Sequence, residues 1–291
     1  MSKLKVNTNS EELKIYIDNE FNNGDCIVAF LDILGFKEHV KKYVNPEHPQ
    51  DKEILEKIKS ALNDSFKIIK QEQNEYVKLI RIKIFSDCTC ASVPAMLCTP
   101  TEASVLCLLI TWVVCYNFQL IRRDIYPRGG ISTGFHYEDE NMIFSDGLIK
   151  AYELENERAI YPRTILDEEL VQRLKWLWMD QRETIELFGT NKKIIIDKEG
   201  VAFINPFNLV KSTDKGTYED LKRQFNNEKD FRASVLNLDN DYNGKILKNL
   251  ENKIKKHEDD KSVLPKFLWL KDLLEWNMDP KSSNKFEYLL K

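Results

Sequence analysis

Two aspartates stand where apolar, strand-like runs of this sequence end. Asp32 lies in the run at residues 26–34, and Asp87 follows Phe85 and Ser86 at the end of another run. A third segment, RGGISTG at residues 128–134, places an arginine and three glycines along a strand-like stretch. Each segment marks a place where a buried sheet meets an open surface, and such places commonly carry function.

Two carboxylates at one point repel each other, and their pKa values shift unless a cation lies between them. Carboxylate oxygens suit Mg²⁺ or Mn²⁺. Asp32 and Asp87 therefore predict a metal site if their strands end side by side. Each residue alone has a simpler interpretation, because an Asp in an apolar strand is usually buried and hydrogen-bonded, and an Asp in a turn usually serves the turn.

The elements that must position these residues alternate between extended and helical patterns. Ser86 and Asp87 form the predicted tip of a hairpin between residues 76–85 and 88–93. The remaining predicted elements are strands at 26–34, 130–136 and from 161, and helices at 36–44, 52–71, after Pro100 and from Gly147. This order predicts an α+β fold with an antiparallel sheet and helices on one face, ferredoxin-like in outline.

The rest of the chain differs in character. Residues 192–207 predict a hairpin with its turn at 197–200, residues 218–256 are charge-rich and helical, and an amphipathic helix begins at Pro265. The predicted organisation is a polar segment at 1–23, a main domain at 24–180, and a hairpin and helical extension at 181–291 packed on it.

Composition restricts which partners the protein can bind and which cellular compartment it is expected in. The net charge of −4 over 291 residues provides no overall basic field for nucleic acid. The apolar run at 103–120 is short and broken by polar residues, so it predicts a core helix and no membrane span. The polar start of the chain and the absence of zinc-type cysteine spacing predict a cytoplasmic protein with buried thiols. The six cysteines are Cys26, Cys88, Cys90, Cys98, Cys107 and Cys115.

The order of the three segments resembles the class III nucleotidyl cyclases. That family shares a Phe-x-Asp-Ile-x-Gly-Phe element, a second Asp, and an Arg-x-Gly-Ile-x-x-Gly strand. Here they stand as FLDILGF at 30–36, Asp87, and RGGISTG at 128–134. The resemblance covers residues 24–166, and its weight lies in the joint order, since no single motif is specific. It implies that residues 24–180 form a ferredoxin-like cyclase catalytic domain.

The resemblance also implies a site. Two Mn²⁺ or Mg²⁺ ions per site would be held by Asp32, Asp87 and the backbone carbonyl of Ile33. They would lower the pKa of a ribose 3′-hydroxyl and clamp the α-phosphate while pyrophosphate leaves. The backbone amides that would hold triphosphate oxygens are those of Leu34, Gly35 and Phe36.

Two basic residues have places in this scheme. Lys83 stands four residues before Asp87, where purine-specific members carry a lysine that contacts the base. Residues at even separation share a strand face, so Lys83 is expected on the face of Asp87, although a solvated strand lysine is an equal alternative. Arg128 opens the third strand and is a candidate phosphate contact.

The chain departs from the family at one important point. The adenylate and guanylate cyclases carry an Asn and, four residues later, an Arg in the helix after the third segment. One alignment register puts Ile149 and Glu153 at those positions, and another puts Ala151 and Glu155 there. Arg163 is the predicted replacement for the missing cation, with Arg158 as the alternative, and either residue has a surface or capping role as its simpler interpretation.

A second set of motifs resembles the pyrimidine cyclases of bacterial Pycsar antiphage systems. These motifs are Gly147 with KAYELE at 150–155, PR at 162–163, DKEG at 197–200 and KFLWL at 266–270. That resemblance implies conversion of UTP or CTP to the cyclic nucleotide, a homodimer with each site completed by the facing subunit, and a separate effector that senses the product. Tyr152 would shorten the base pocket to one pyrimidine ring, unless it packs in the core. A purine cyclase and an inactive nucleotide-binding or dimerisation module are the alternatives.

Overall fold

The computed structural model describes residues 23–44, 53–71, 79–95, 99–208 and 241–291. The strands are β1 Asn23–Ile33, β2 Arg81–Phe85, β3 Cys88–Pro94, β4 Pro127–Glu138, β5 Ile143–Ser145, β6 Thr164–Leu166, β7 Ile194–Asp197, β8 Ala202–Ile204 and β9 Phe286–Tyr288. The helices are α1 Phe36–Val44, α2 Glu53–Gln71, α3 Thr99–Ile121, α4 Asp146–Glu153, α5 Glu168–Asp180, α6 Arg182–Leu187, α7 Asp241–Lys256 and α8 Leu264–Met278.

All nine strands of the described residues join one sheet in the order β2-β3-β1-β4-β6-β8-β7-β9, with β5 paired to β4. The predicted α+β class is confirmed. The predicted antiparallel sheet differs in one detail, because β4 and β6 run parallel. A parallel pair needs a crossover connection, and α4 provides it.

The sheet carries helices on both faces, so the expectation of helices on one face was wrong. Helix α3 shares the main core with Ile27, Ala29 and Leu31 of β1. Strand alternation directs Val28 to the other face, where α4 packs: a Cβ built at Gly147 of α4 would lie 3.0 Å from Val28 Cγ2.

Two glycines of β4 allow α4 to lie this close. A Cβ at Gly130 would lie 2.2 Å from the carbonyl oxygen of Ala151, and one at Gly134 would lie 2.7 Å from the nitrogen of Gly147. The helix begins at a capped position, because Leu148 N donates to Ser145 Oγ over 2.9 Å. Gly130 and Gly134 of the RGGISTG segment thus allow the backbone of α4 to pack directly against the backbone of β4.

Helix α3 is the centre of the main core. Trp112 and Tyr116 are fully buried on it, and their rings lie 5.4 Å apart. One helix of the described chain, Pro100–Ile121, is long and apolar enough to cross a membrane, and it is mostly buried inside the protein. The predicted core helix is therefore confirmed.

Residues beyond 180 extend the same sheet. The hairpin predicted at 192–207 is confirmed as β7 and β8, with Gly200 in its turn at a φ of 81°. Strand β9 then pairs with β7 at the sheet edge. The charged stretch at 218–256 was predicted as helical, and only its part from residue 241 lies within the described residues. Cys98 lies outside the described residues. The other five cysteines are free, and all but the half-buried Cys88 are buried.

We expect Gly130→Ala to destabilise the protein by about 1–3 kcal/mol or more, because α4 must move away from β4 to admit the methyl group. Gly244→Ala is the matched control, since Gly244 lies in α7 with open space around its Cα. That change should leave stability unchanged or raise it by up to about 1 kcal/mol. Urea unfolding of both variants measures the difference, and equal effects would contradict the packing described.

Candidate functional site

Asp32 lies on the α4 face of the sheet, together with Phe30 two residues earlier. The register of β1 with β4 sets Asp32 opposite Arg128. The register of β1 with β3 ends at Leu31 and Thr89, and one more step along it places Cys88 beside Asp32. Cross-strand neighbours on one face lie within side-chain reach, so Asp32 stands between a guanidinium and a thiol.

Asp87 joins this group from the β2–β3 turn. Ser86 takes a left-handed conformation with a φ of 58°, which turns the chain tightly between the two strands. One ligand atom from each of Asp32, Asp87 and Cys88 lies within 4.8 Å of the others, and all three residues are half-buried. The two aspartates therefore converge, as the sequence analysis expected.

The electrostatics of this group favour a bound cation. Burial raises the pKa of Asp32, the neighbouring charge of Asp87 raises it further, and Arg128 only partly offsets both. Burial, followed by the same two carboxylates, raises the pKa of Cys88 to about 12. The carboxylate oxygens of Asp32 and Asp87 are donors that fit Mn²⁺ or Mg²⁺.

Arg128 bridges two carboxylates. Its Nε lies 3.4 Å from Asp32 Oδ2 and also contacts Glu155 Oε1. Glu155 follows α4 in a single π-helical turn, Leu154–Arg158, and its side chain is only 4% exposed. Burial raises the pKa of Glu155, and the charges of Asp32 and Asp87 act in the same direction.

Of the three backbone amides expected to bind phosphate, one is already hydrogen-bonded within the protein. The Leu34 N–H donates to the Tyr126 carbonyl over 2.9 Å, so this amide is not free to bind phosphate and the expectation for Leu34 was wrong. Gly35 has a φ of 76°, which favours glycine, and α1 begins directly after it. The first N–H groups of a helix have no intrahelical acceptor, so Gly35 and Phe36 remain predicted contacts.

The Ile33 carbonyl points towards the aspartate pair. Backbone groups of successive residues in a strand point to opposite sides, and the N–H of Leu34 points towards β4. The carbonyl of Ile33 therefore points towards β3, at the level where β3 has given way to the turn that carries Asp87. The side chain of Ile33 is buried in the core.

Lys83 lies on the face of the sheet that carries Asp32. The strand registers pair Lys83 with Cys90 and Cys90 with Phe30, and Phe30 shares its face with Asp32. The ammonium of Lys83 donates to the carbonyl of Asp139, in the loop between β4 and β5. The expected face is therefore found, and the contact of Lys83 with a base stays a prediction.

Arg163 pairs with a carboxylate other than Asp32 or Asp87. Its Nη1 donates to Asp197 Oδ2 over 2.6 Å, and its side chain is only 4% exposed. The guanidinium lies over the rings of Tyr161, Phe203 and Trp269 at 5.3, 5.5 and 5.6 Å. The guanidinium of Arg163 is buried and already paired with Asp197, so the prediction of Arg163 as the replacement cation was wrong.

The alternative, Arg158, is exposed at the end of the π-helical turn, and its backbone carbonyl accepts from Arg163 Nη2 over 3.5 Å. Tyr152 is 48% exposed on α4, with its ring 5.5 Å from that of Phe30. Since Phe30 and Asp32 share a strand face, Tyr152 lies on the side of the sheet that holds the aspartates.

Sequence reasoning missed two residues of this site. Cys88 was treated only as a buried thiol, although the hairpin register places it beside Asp32. Glu155 was noted only as one register's substitute for the family's arginine, and the structure gives it a buried contact with Arg128.

The sequence matches no protein-family model and no curated protein. Two structures of a bacterial light-regulated adenylyl cyclase match at 13% and 11% identity, with TM-scores of 0.34 and 0.36. Each match covers 70% of this chain, which spans 57% and 58% of the length of those proteins. The guanylyl cyclase Cya2 matches at 12% identity over 64% of this chain and 96% of its own, with a TM-score of 0.31. Likeness at this level does not carry an activity to this chain.

We expect metal-free Asp32→Asn to melt at or above the temperature of the wild-type protein at pH 7. The folded state raises the pKa of Asp32. Its contribution to stability is therefore complete below the unfolded pKa and is lost as pH rises through the folded pKa. The advantage of the variant should disappear as pH falls and Asp32 takes up its proton, which thermal melts against pH will show.

Exposed Asp259→Asn is the control and should show no such pH-dependent difference. Mn²⁺ at ten times its Kd should stabilise the wild-type protein by about 1.4 kcal/mol, and Asp32→Asn by much less. A variant that melts well below wild type at pH 7, or gains as much from Mn²⁺, contradicts this account.

Proposed function

We propose that this chain is a metal-dependent nucleotidyl cyclase, which converts a nucleoside triphosphate to its 3′,5′-cyclic monophosphate and pyrophosphate. One observation carries the proposal. Asp32 and Asp87, from a strand end and a hairpin tip, converge with their ligand atoms within 4.8 Å. Their convergence, with Arg128 alongside, is the arrangement that the resemblance to class III cyclases requires.

The residues divide the work. Asp32, Asp87 and the carbonyl of Ile33 would hold two Mn²⁺ or Mg²⁺ ions, which supply positive charge to a ribose 3′-hydroxyl and to the phosphates. The amides at the start of α1, those of Gly35 and Phe36, would donate hydrogen bonds to the triphosphate oxygens. The 3′-oxygen then bonds to the α-phosphorus, its proton leaves to solvent, and the bond to pyrophosphate breaks.

Among the described residues, Arg128 is a cation in direct contact with Asp32. It faces Asp32 across the strand pair, and its side chain is 26% exposed. A guanidinium in that position suits a phosphate oxygen better than Arg163, whose own partner is Asp197. We therefore assign the charge-stabilising role to Arg128.

The proposed substrate is a pyrimidine nucleotide, UTP or CTP, and the proposed setting is cytoplasmic antiphage defence with a separate effector that senses the product. The half-exposed Tyr152 supports a small base pocket, because it lies against Phe30 on the side of Asp32. The resemblance to the Pycsar cyclases supports the setting. A purine cyclase of the same fold is the near alternative.

An inactive nucleotide-binding or dimerisation module is the second candidate. One observation favours it: a buried glutamate, Glu155, stands where one register places the family's catalytic arginine. Product formation separates the two candidates.

We expect the purified chain with Mn²⁺ to form cyclic product, with kcat/KM for UTP or CTP at least about tenfold above that for ATP or GTP, or about 1.4 kcal/mol. Asp32→Ala and Asp87→Ala should each abolish turnover while the protein stays folded, because each removes a metal ligand. Exposed Asp259→Ala is the matched control and should keep full activity. Assays of pyrophosphate and cyclic product with all four nucleotides decide the matter.

The outcomes are separable. Preference for ATP or GTP would overturn the pyrimidine assignment alone. Turnover in either aspartate variant would overturn the metal assignment, and no product with any nucleotide would favour the inactive module.

The proposed assembly is a homodimer. Helix α4 exposes Ile149 and Tyr152, three residues apart on one helix face and 57% and 48% exposed. Light scattering should therefore report a dimer that Ile149→Lys weakens. Met179→Lys on α5, at an exposed position, is the control and should leave the dimer intact. A wild-type monomer with full activity contradicts the proposal.

A further inference from the structure

Arg128 is held between two carboxylates that belong to different parts of the chain. Asp32, on the neighbouring strand, accepts from its Nε over 3.4 Å, and Glu155, in the π-helical turn after α4, contacts the same atom. Glu155 is the more deeply buried of the two, at 4% side-chain exposure against 16% for Asp32. A buried carboxylate is destabilising without a nearby cation, so Arg128 is the counter-ion of Glu155 as well as of Asp32.

The local charges do not balance without a further cation. Asp32, Asp87 and Glu155 carry three negative charges when ionised, and Arg128 carries one positive charge. Two negative charges therefore remain, which the first divalent ion to bind would neutralise. Without that ion, Arg128 is the counter-ion available to Asp32 and competes with the metal for this carboxylate.

We infer that Glu155 is a positioning residue, which draws Arg128 away from Asp32 so that a divalent cation can occupy the aspartate pair. Arg128 then stays beside the metal site, with its guanidinium directed at the phosphates. The inference rests on the proposed function, since it assumes that Asp32 and Asp87 bind the metal. Glu155 would then position Arg128 from the place where one alignment register puts the family's arginine.

The inference predicts opposite effects for the two partners. Removal of Arg128 eliminates the competitor, so Arg128→Gln should tighten metal binding several-fold while it lowers turnover. Removal of the charge of Glu155 transfers Arg128 to Asp32, so Glu155→Gln should weaken metal binding by about tenfold. A role in folding alone does not produce opposite signs.

The experiment is a titration of the full chain with Mn²⁺ alone, in which free Mn²⁺ is measured by electron paramagnetic resonance. The four proteins of a double-mutant cycle are wild type, Arg128→Gln, Glu155→Gln and the double variant. In the Arg128→Gln background, Glu155→Gln should change the Kd by less than about threefold, because the residue acts through Arg128. Glu157→Gln removes an exposed charge from the same π-helical turn and should bind Mn²⁺ as wild type does.

Equal Mn²⁺ affinity of wild type and Glu155→Gln overturns the inference and leaves the proposed function in place. An equal loss from Glu155→Gln in both backgrounds also overturns it, because the glutamate would then act directly on the metal. Recovery of binding in the double variant supports it, because the loss caused by Glu155→Gln then depends on Arg128. A wild-type chain that binds no Mn²⁺ overturns the metal site of the proposed function together with the inference.

Discussion

The close approach of α4 to β4 determines what stands on the functional face of the sheet. At Gly130 and Gly134 the helix backbone lies where any side chain would need to be. This contact fixes the height of α4 above the sheet, and it places Tyr152 against Phe30 and Glu155 against Arg128. A larger residue in β4 would lift the helix and separate Glu155 from Arg128, although neither glycine touches the aspartates.

The local features of the fold were predictable from the sequence. Helix α1 has its expected bounds, the β2–β3 hairpin turns at Ser86 and Asp87, and the apolar run of α3 forms the core. These elements follow from residue periodicity and turn chemistry, which act over a few neighbours. The convergence of Asp32 and Asp87 followed from the same reasoning, because it depends only on which strand ends meet.

The incorrect predictions depended on partners far along the chain. Arg163 was assigned to the site because it lies near the cyclase-like segments, but its partners Asp197 and Trp269 belong to the C-terminal part. The role of Glu155 depends on the turn that carries it to Arg128, and helical periodicity does not predict such a turn.

The strand that carries Asp32 lies between β3 and β4, and both partners come much later in the chain. Ordering of β1 therefore requires the closure of two long loops, whose entropic cost must be met before the strand gains its hydrogen bonds. Non-local pairing of this kind sets the folding rate, since helices form much faster. On a ribosome, β1 must wait for β3 to emerge before Asp32 can meet Asp87, so the acidic pair is assembled only after Pro94 has been synthesised.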